Sequence, residues 1–544
     1  MQFQSLGHDP HAQCHVLTVG PVRLMLDCGL ELTSFAVHRP PGDGSEGTSG
    51  DAPETGPCGG RMRVRAPCFE AFPVETIDAV LITNHMNMLA LPFLTEYTGF
   101  AGQVYATHPT LQMGLKHMEE LVHLAQSMTE RDLADPAPRA TAQTRVSDGF
   151  GAGNLMYSLK DVQACGSKVQ GVAYMQPMDL LAEGLRVIPV SSGFCIGGTN
   201  WLVESPFKRI AYLGPSSSTT MRHPSGIDTE PLIGSDVLIV SDVNVAVREP
   251  PVRAMMEMVK TAQSTLAGGG HVFIPSYPSG LLYDIIELLR TKLQTVQICC
   301  ISPVAEYCLA YAGIVMEWLC SSRQEKVYIP SEPFGHQELK RRGQLHTFAS
   351  ITAPEFGQMY QANRANPTVF FVSHPSLLLG DIQYFLTTWP QSSRDALICI
   401  EPDFSPAAVR EQYPGLRMQL YYFPIDLRVT SRALGKMIED IDPQHILCPK
   451  ALADCIPKST ARCVTFAHLQ TVLLPPVKGP APDRFLSATV EPHVMDGLYR
   501  PVTDGPWAPL VCDLHTVNGK HVVGLEDDNR PTKRRRGPSP PVQP

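Results

Sequence analysis

The chain has 544 residues, a formal net charge of -9 and a pI near 6.1, with 43% hydrophobic and 18% charged residues. Such a length gives room for roughly two to four domains with sizeable cores and excludes global disorder. The acidic balance argues against a free-standing nucleic-acid binder held mainly by phosphate contacts.

The start, Met1 to His8, lacks the basic and apolar regions of a secretory signal. Glu306 interrupts the longest apolar run, around 301–316, so no stretch reaches membrane-spanning length. Many of the 15 cysteines sit in apolar runs such as ICCI (298–301) and LICI (397–400). They are read as reduced, buried thiols of an intracellular protein. His8, His11, Cys14 and His15 fit no single helix face and are read as surface or packing residues rather than as a metal cluster.

Short β-forming runs follow in order: RLMLDCG (23–29), AVLITN (79–84), QVYATH (103–108), LRVIPVSSG (185–193), NWLVES (200–205) and RIAYLG (209–214). A helix is expected over 109–126, where Leu111, Leu115, Met118, Leu121, Val122 and Ala125 recur at helical spacing. The stretch of about 38–70 is rich in Gly, Pro, Ser and Glu and reads as a disordered insert, and 129–150 as a second polar loop.

From about 234 strands and helices alternate: DVLIVSD, HVFIPS, VQICCIS and PTVFFVSH each precede a helical segment. That alternation builds an open, mostly parallel sheet. ALICIEP, MQLYYFPI and HILCPK supply later strands, and beyond 475 proline rises and periodicity fades. Gly268-Gly269-Gly270 lacks the Gly-Lys-Ser/Thr of a phosphate loop and reads as a turn before a strand. Lys533, Arg534, Arg535 and Arg536, in a Pro-rich tail, form a candidate nuclear-localisation signal.

Asp27-Cys28-Gly29 at a strand end looks structural: a carboxylate for loop amides beside a glycine that permits a sharp turn. Together with ALPFLTEYTGFAGQVYATHPT, VIPVSSGFCIGGTNWLVES, GGGHVFIPSYPSGLLYDIIELL and EPDFSP, its surroundings MLDCGLELTS carry a resemblance. Over roughly residues 10–465 the chain resembles the metallo-β-lactamase/β-CASP family of RNA 3'-end-processing nucleases, and within it the non-catalytic branch found in Integrator.

The resemblance implies an α/β fold: a metallo-β-lactamase αββα sandwich with an inserted β-CASP domain. Its expected parts are 1–215 and 396–475 for the sandwich and 216–395 for the insertion. A C-terminal extension (476–525) and a basic disordered tail (526–544) follow.

Active members carry H-x-H-x-D-H in the first loop, then a later His, a bridging Asp and a final His. Those positions here are Asn84, Met86, Met88 and Leu89, then Phe194, Pro215 and Lys450, or Pro449 with a shifted gap. The β-CASP acid falls on Ser241, one place from Asp242, and the family's His-bearing stretch reads Pro424 to Arg428. Asp27 alone keeps its place, bracing loops.

Zinc takes imidazole, thiolate or carboxylate, about four ligands per ion, and His85 could supply at most one. No metal, cofactor or catalytic residue is therefore expected, with Phe194, Met86 and Met88 filling the vacated volume. The resemblance implies a nuclear pseudo-enzyme. Its partners would be the catalytic β-CASP endonuclease subunit of Integrator and other Integrator subunits, with RNA polymerase II met indirectly and no membrane.

Two alternatives stand beside this. One is an inactive subunit of the pre-mRNA cleavage and polyadenylation machinery. The other is a divergent hydrolase using His85, Asp242, Asp426 or His374. Members of this type continue past the basic linker into a small pairing domain, whereas this sequence ends at Pro544: either it is truncated or a variant, or contacts between the main domains must suffice for pairing.

Overall fold

A computed structural model describes residues 1–7, 12–36, 60–134, 157–180, 184–205 and 208–474, apart from 220–221, 246, 248, 294, 329–330, 364–365 and 457–461. It also describes 488–490, 513–517 and 520–524. The candidate insert core at 38–59, His8, His11 and the basic cluster 533–536 lie outside the described residues.

Two seven-stranded sheets form the sandwich. The first runs, in spatial order, Thr471–Leu473, Gln2–Ser5, His15–Val19, Val22–Leu26, Ala79–Leu81, Gln103–Thr107 and Val169–Val172. The second runs Arg462–Phe466, His445–Pro449, Val237–Val240, Arg209–Leu213, Thr199–Glu204, Leu185–Ser191 and Met178–Leu180.

Helices cover the outer faces. On one side Leu91–Tyr97, His108–Ala134 and Leu159–Ser167 bury Phe93, Leu94, Met118, Leu121, Val122 and Val162. On the other, Ser431–Ile441 lays Leu434, Met437, Ile438 and Ile441 on the second sheet, an i, i+3, i+4, i+7 stripe that a surface helix needs. Between the sheets Trp201 is fully buried and its indole N–H donates to the Ile82 carbonyl at 3.1 Å.

The inserted domain is a six-stranded parallel sheet in the order Leu345–Phe348, Gln297–Ile301, Thr368–Val372, Val272–Pro275, Ala396–Cys399 and Gln419–Tyr422. Its central strands are buried on both faces, as a parallel sheet between helices requires. Ile298, Cys300, Val369 and Phe371 meet Pro251–Ala267 and Leu281–Lys292. Phe273, Cys299, Phe370 and Val372 meet Phe385 and Trp389.

Several expectations change. Val237–Val240 pairs with Arg209–Leu213 and His445–Pro449 in the sandwich, whereas Ala396–Cys399 and Gln419–Tyr422 belong to the inserted sheet. These strands therefore fall across the expected boundaries at 215/216 and 395/396. Buried parallel strands all read as apolar runs, so periodicity cannot say which sheet a strand joins.

The insert of about 38–70 shrinks from its C-terminal side. Glu31–Ala36 pairs antiparallel with Gly60–Arg65, and Phe69–Ala71 is a helical turn. The helix expected to end at 126 continues to Ala134. Beyond 475, within the expected C-terminal extension, the structure adds a three-stranded sheet, Ala488–Val490, Lys520–Gly524 and Asp513–Val517.

The described cysteines are free thiols and most are buried. Gly269, at positive φ, turns the chain before the strand Val272–Pro275 as expected. Among the described residues no helix is long and apolar enough to cross a membrane.

Candidate functional site

A cleft of about 210 Å³ lies between the sandwich and the inserted domain. Its floor is the loop after Ala79–Leu81, and that loop hangs on Asp27. The Asp27 carboxylate accepts from the Thr83 N–H (2.7 Å), the Thr83 hydroxyl (2.8 Å), the Asn87 side-chain N–H (3.1 Å) and the Tyr212 hydroxyl (2.8 Å). Asp27 holds a left-handed backbone, φ 63°, and is fully buried. Burial pushes its carboxyl up to about 7, against the downward pull of those hydrogen bonds. Such a residue is a brace, as its strand-end position suggested.

Asn84 continues the brace. Its Oδ1 accepts from the N–H groups of Met86 (2.9 Å) and Asn87 (3.1 Å), closing the turn Met86–Met88. An amide that folds its own loop is not aimed at a metal. Met86, Leu89, Phe194 and Pro215 line the cleft, but Met88 does not. Met88 is fully buried in the sandwich core with its sulfur over Gly114, so close that a Cβ there would lie 2.1 Å from it. The expectation that Met88 fills the vacated metal volume is therefore corrected: apolar burial turned it away from the cleft. Lys450 is exposed and Pro449 half-buried, and neither lines the cleft.

The fold family's zinc pair does not fit this residue set. An amide tied to its own backbone, a thioether, Phe and Pro supply no ligand set for it. Among the described residues no group of three or more His, Cys, Asp or Glu could hold a metal ion.

The wall facing this loop is ionic. The Arg428 guanidinium grips Asp426 with two bonds, 2.9 and 2.8 Å, reaches Asp403 at 2.9 Å and lies 3.4 Å from Asp242. Bidentate pairing of this kind suits a guanidinium fork. Glu401 stands beside them, its carboxyl pushed up to about 8 by burial and then by Asp403, with Arg428 opposing.

Its folded value exceeds the ordinary 4.5, so its contribution to stability is full below about pH 4.5 and is lost as pH rises through about 8. Glu401→Gln should accordingly stabilise the chain by about 1–2 kcal/mol near pH 8.5, the side chain keeping part of its surface in the cleft, and by nothing near pH 4. Thermal midpoints at the two pH values check this; equal shifts at both would refute it.

Of the residues considered for a divergent hydrolase, Asp242 and Asp426 are thus joined through Arg428, and His85 shares the cleft. His374 lies outside the cleft lining, bonded to Ser376 at 2.9 Å and packed on Tyr277.

A metallo-β-lactamase superfamily domain matches residues 67–228. The chain is 35% identical to an Integrator complex subunit 9 homolog of Nematostella vectensis, over 87% of this chain and 78% of that protein. It is 32% identical to human Integrator complex subunit 9, over 99% of this chain and 86% of that protein. The chain belongs to the Integrator complex subunit 9 family. Likeness to the Schizosaccharomyces pombe endoribonuclease ysh1 is weaker, 23% over 61% of this chain and 40% of that protein.

For this Integrator subunit 9 family member, sequence reasoning missed a second polar cluster beside the cleft. The His117 Nε2 lies 2.7 Å from the Ser279 hydroxyl, and the His85 Nε2 lies 3.4 Å from the same oxygen. His85 and His117 stack at 4.8 Å. Glu120 accepts from the hydroxyls of Ser302 and Ser373, each at 2.6 Å. His117 and Glu120 come from the sandwich, and the three serines from the inserted domain, so the cluster ties the lobes together. The one signal available in sequence was a His and a Glu three apart on a helix whose face is otherwise apolar.

Proposed function

We propose that this chain is a catalytically silent β-CASP scaffold subunit of an Integrator-type complex. It pairs with the active β-CASP endonuclease subunit, docks further subunits and supports 3'-end processing of small nuclear RNAs and attenuation of RNA polymerase II transcripts. Lys533 to Arg536 would serve as its nuclear-localisation signal. One observation carries this reading: the metal positions of the cleft hold no ligand set, in a chain related over nearly its whole length to Integrator subunit 9 proteins.

A phosphodiesterase of this fold needs its metal pair to make hydroxide near neutral pH and to neutralise charge on the phosphate. Here the apolar loop offers neither, and the carboxylates of the opposite wall repel phosphate. What remains is a folded sandwich and inserted domain for other proteins to bind.

Elemental analysis of purified chain stripped of loose metal should find far less than one zinc per chain, and the chain alone should not cleave RNA. Stoichiometric zinc that disappears in His85→Ala, or RNA cleavage by the chain alone, would overturn this reading.

A further inference from the structure

Two thiols meet at the edge of the second sheet of the sandwich. His445–Pro449 and Arg462–Phe466 run parallel there, with Ile446 opposite Cys463 and Cys448 opposite Thr465. Side chains alternate along a strand, so Ile446 and Cys448 share a face. Cys463, opposite Ile446, shares it too. The Cys448 and Cys463 sulfurs lie 3.9 Å apart. That is direct thiol contact, about 2 Å longer than an S–S bond.

The two thiols differ in what reaches them. Cys463 is exposed on the outermost strand, whereas Cys448 is fully buried in the cluster that holds Leu434, Ile438 and Leu452. Burial, and then the neighbouring Cys463, push the Cys448 thiol up. A thiol kept protonated is a slow nucleophile toward anything that must diffuse to it. A reacting sulfur already in contact makes the step intramolecular, which offsets that handicap.

The strand can supply the missing approach. In its sheet Arg462–Phe466 has a strand neighbour on one side only, and Arg462 and Cys463 are exposed, so little packing resists a small shift. Another close pair lacks this arrangement: Cys14 stands beside Cys28, but both are fully buried, beyond the reach of a solute.

We propose that Cys463 is a modification site for small-molecule disulfides such as oxidised glutathione, and that Cys448 resolves the adduct into an internal disulfide. Cys463 gives its proton to water, and its sulfur bonds to one sulfur of the small disulfide. The S–S bond of the reagent breaks, and one small thiolate leaves and takes a proton from water. Cys448 then loses its proton to water, its sulfur bonds to that of Cys463, and the mixed S–S bond breaks. The second small thiolate leaves and is protonated. Two protein thiols are oxidised and one small disulfide is reduced to two thiols. The product ties the outermost strand to its neighbour around the helical turn Lys450–Cys455, and a reducing thiol releases it. No residue of the cleft takes part, so a catalytically silent chain carries this exchange as well as an active one.

The test is to incubate the folded full chain with oxidised glutathione, alkylate the remaining thiols and digest with trypsin. Cleavage after Lys436, Lys450, Lys458, Arg462 and Lys478 puts Cys448, Cys455 and Cys463 on separate peptides. One linked pair is expected, 437–450 with 463–478, which dithiothreitol splits. The intact chain should lose the mass of two hydrogens. Cys448→Ala should instead keep glutathione on Cys463 as a stable mixed disulfide. Cys463→Ser, at an exposed position, should slow modification of Cys448 by about 10-fold or more, with thermal melts showing that both variants fold. A folded wild type whose Cys463 stays free, an adduct on Cys463 that never resolves, or a link to Cys455 in preference to Cys448 would overturn the proposal.

Discussion

Asp27→Ala is expected to cost about 4 kcal/mol of stability, most of it from donors left without an acceptor. The Thr83 N–H, the Thr83 hydroxyl, the Asn87 amide and the Tyr212 hydroxyl all converge on one carboxylate. Each buried donor stripped of its partner costs about 1–3 kcal/mol, discounted where water can enter. Alanine at φ 63° adds about 1 kcal/mol more, since its Cβ crowds the left-handed conformation. Asp27→Asn tolerates that conformation and retains one acceptor oxygen, so its loss should be about half as large. Urea midpoints of the three proteins check the order. An Asp27→Ala loss below about 1 kcal/mol would mean that the loop holds itself, and the brace would be an incidental feature.

The brace shows what a sequence discloses and what it withholds. Asp27-Cys28-Gly29 stood out because a carboxylate and a glycine at a strand end have few other uses. Its partners are 56, 60 and 185 residues away in the chain, and no local pattern points to them. Strands were legible for the same local reason: HVFIPS, PTVFFVSH and ALICIEP are β-branched and aromatic runs. Their order in the sheets was not, because Val237–Val240 and Ala396–Cys399 are equally apolar and yet join different sheets.

The cleft divides in the same way. Asn84, Phe194 and Pro215 were readable as positions without zinc ligands, since a side chain's chemistry is fixed by its type. Met88 was placed in the wrong surroundings, because whether a methionine faces a cleft or a core depends on a helix 20 or more residues further on. Glu119-Glu120 reads in sequence as solvated helix charge, yet Glu120 is buried; His117 and Ser279 were overlooked, and only the packing of the sandwich against the inserted domain makes the three one cluster. In the C-terminal part, Asn518-Gly519 between two β-branched runs was a hairpin signal that faded periodicity concealed.

Removing Arg428 should be comparably costly for an electrostatic reason. Arg428 pairs with Asp426, Asp403 and Asp242 at the cleft wall, and Asp426 and Asp242 are buried with it. Arg428→Met keeps most of the volume but removes the guanidinium shared by these carboxylates, a change worth about 3–5 kcal/mol in buried sites. Arg428→Lys should recover only part of the loss, because an ammonium cannot copy the two-bond grip on Asp426.

The decisive comparison adds a neutral partner. If the cost is uncompensated charge, Arg428→Met combined with Asp426→Asn and Asp242→Asn should be more stable than Arg428→Met alone by about 2 kcal/mol. If packing around the guanidinium carries the cost instead, the added substitutions will lower stability further. Denaturant midpoints for the single and triple variants separate the two. Recovery would establish that this wall is held by ion pairing inside a cleft that, in the reading given above, no longer needs its carboxylates for metal chemistry.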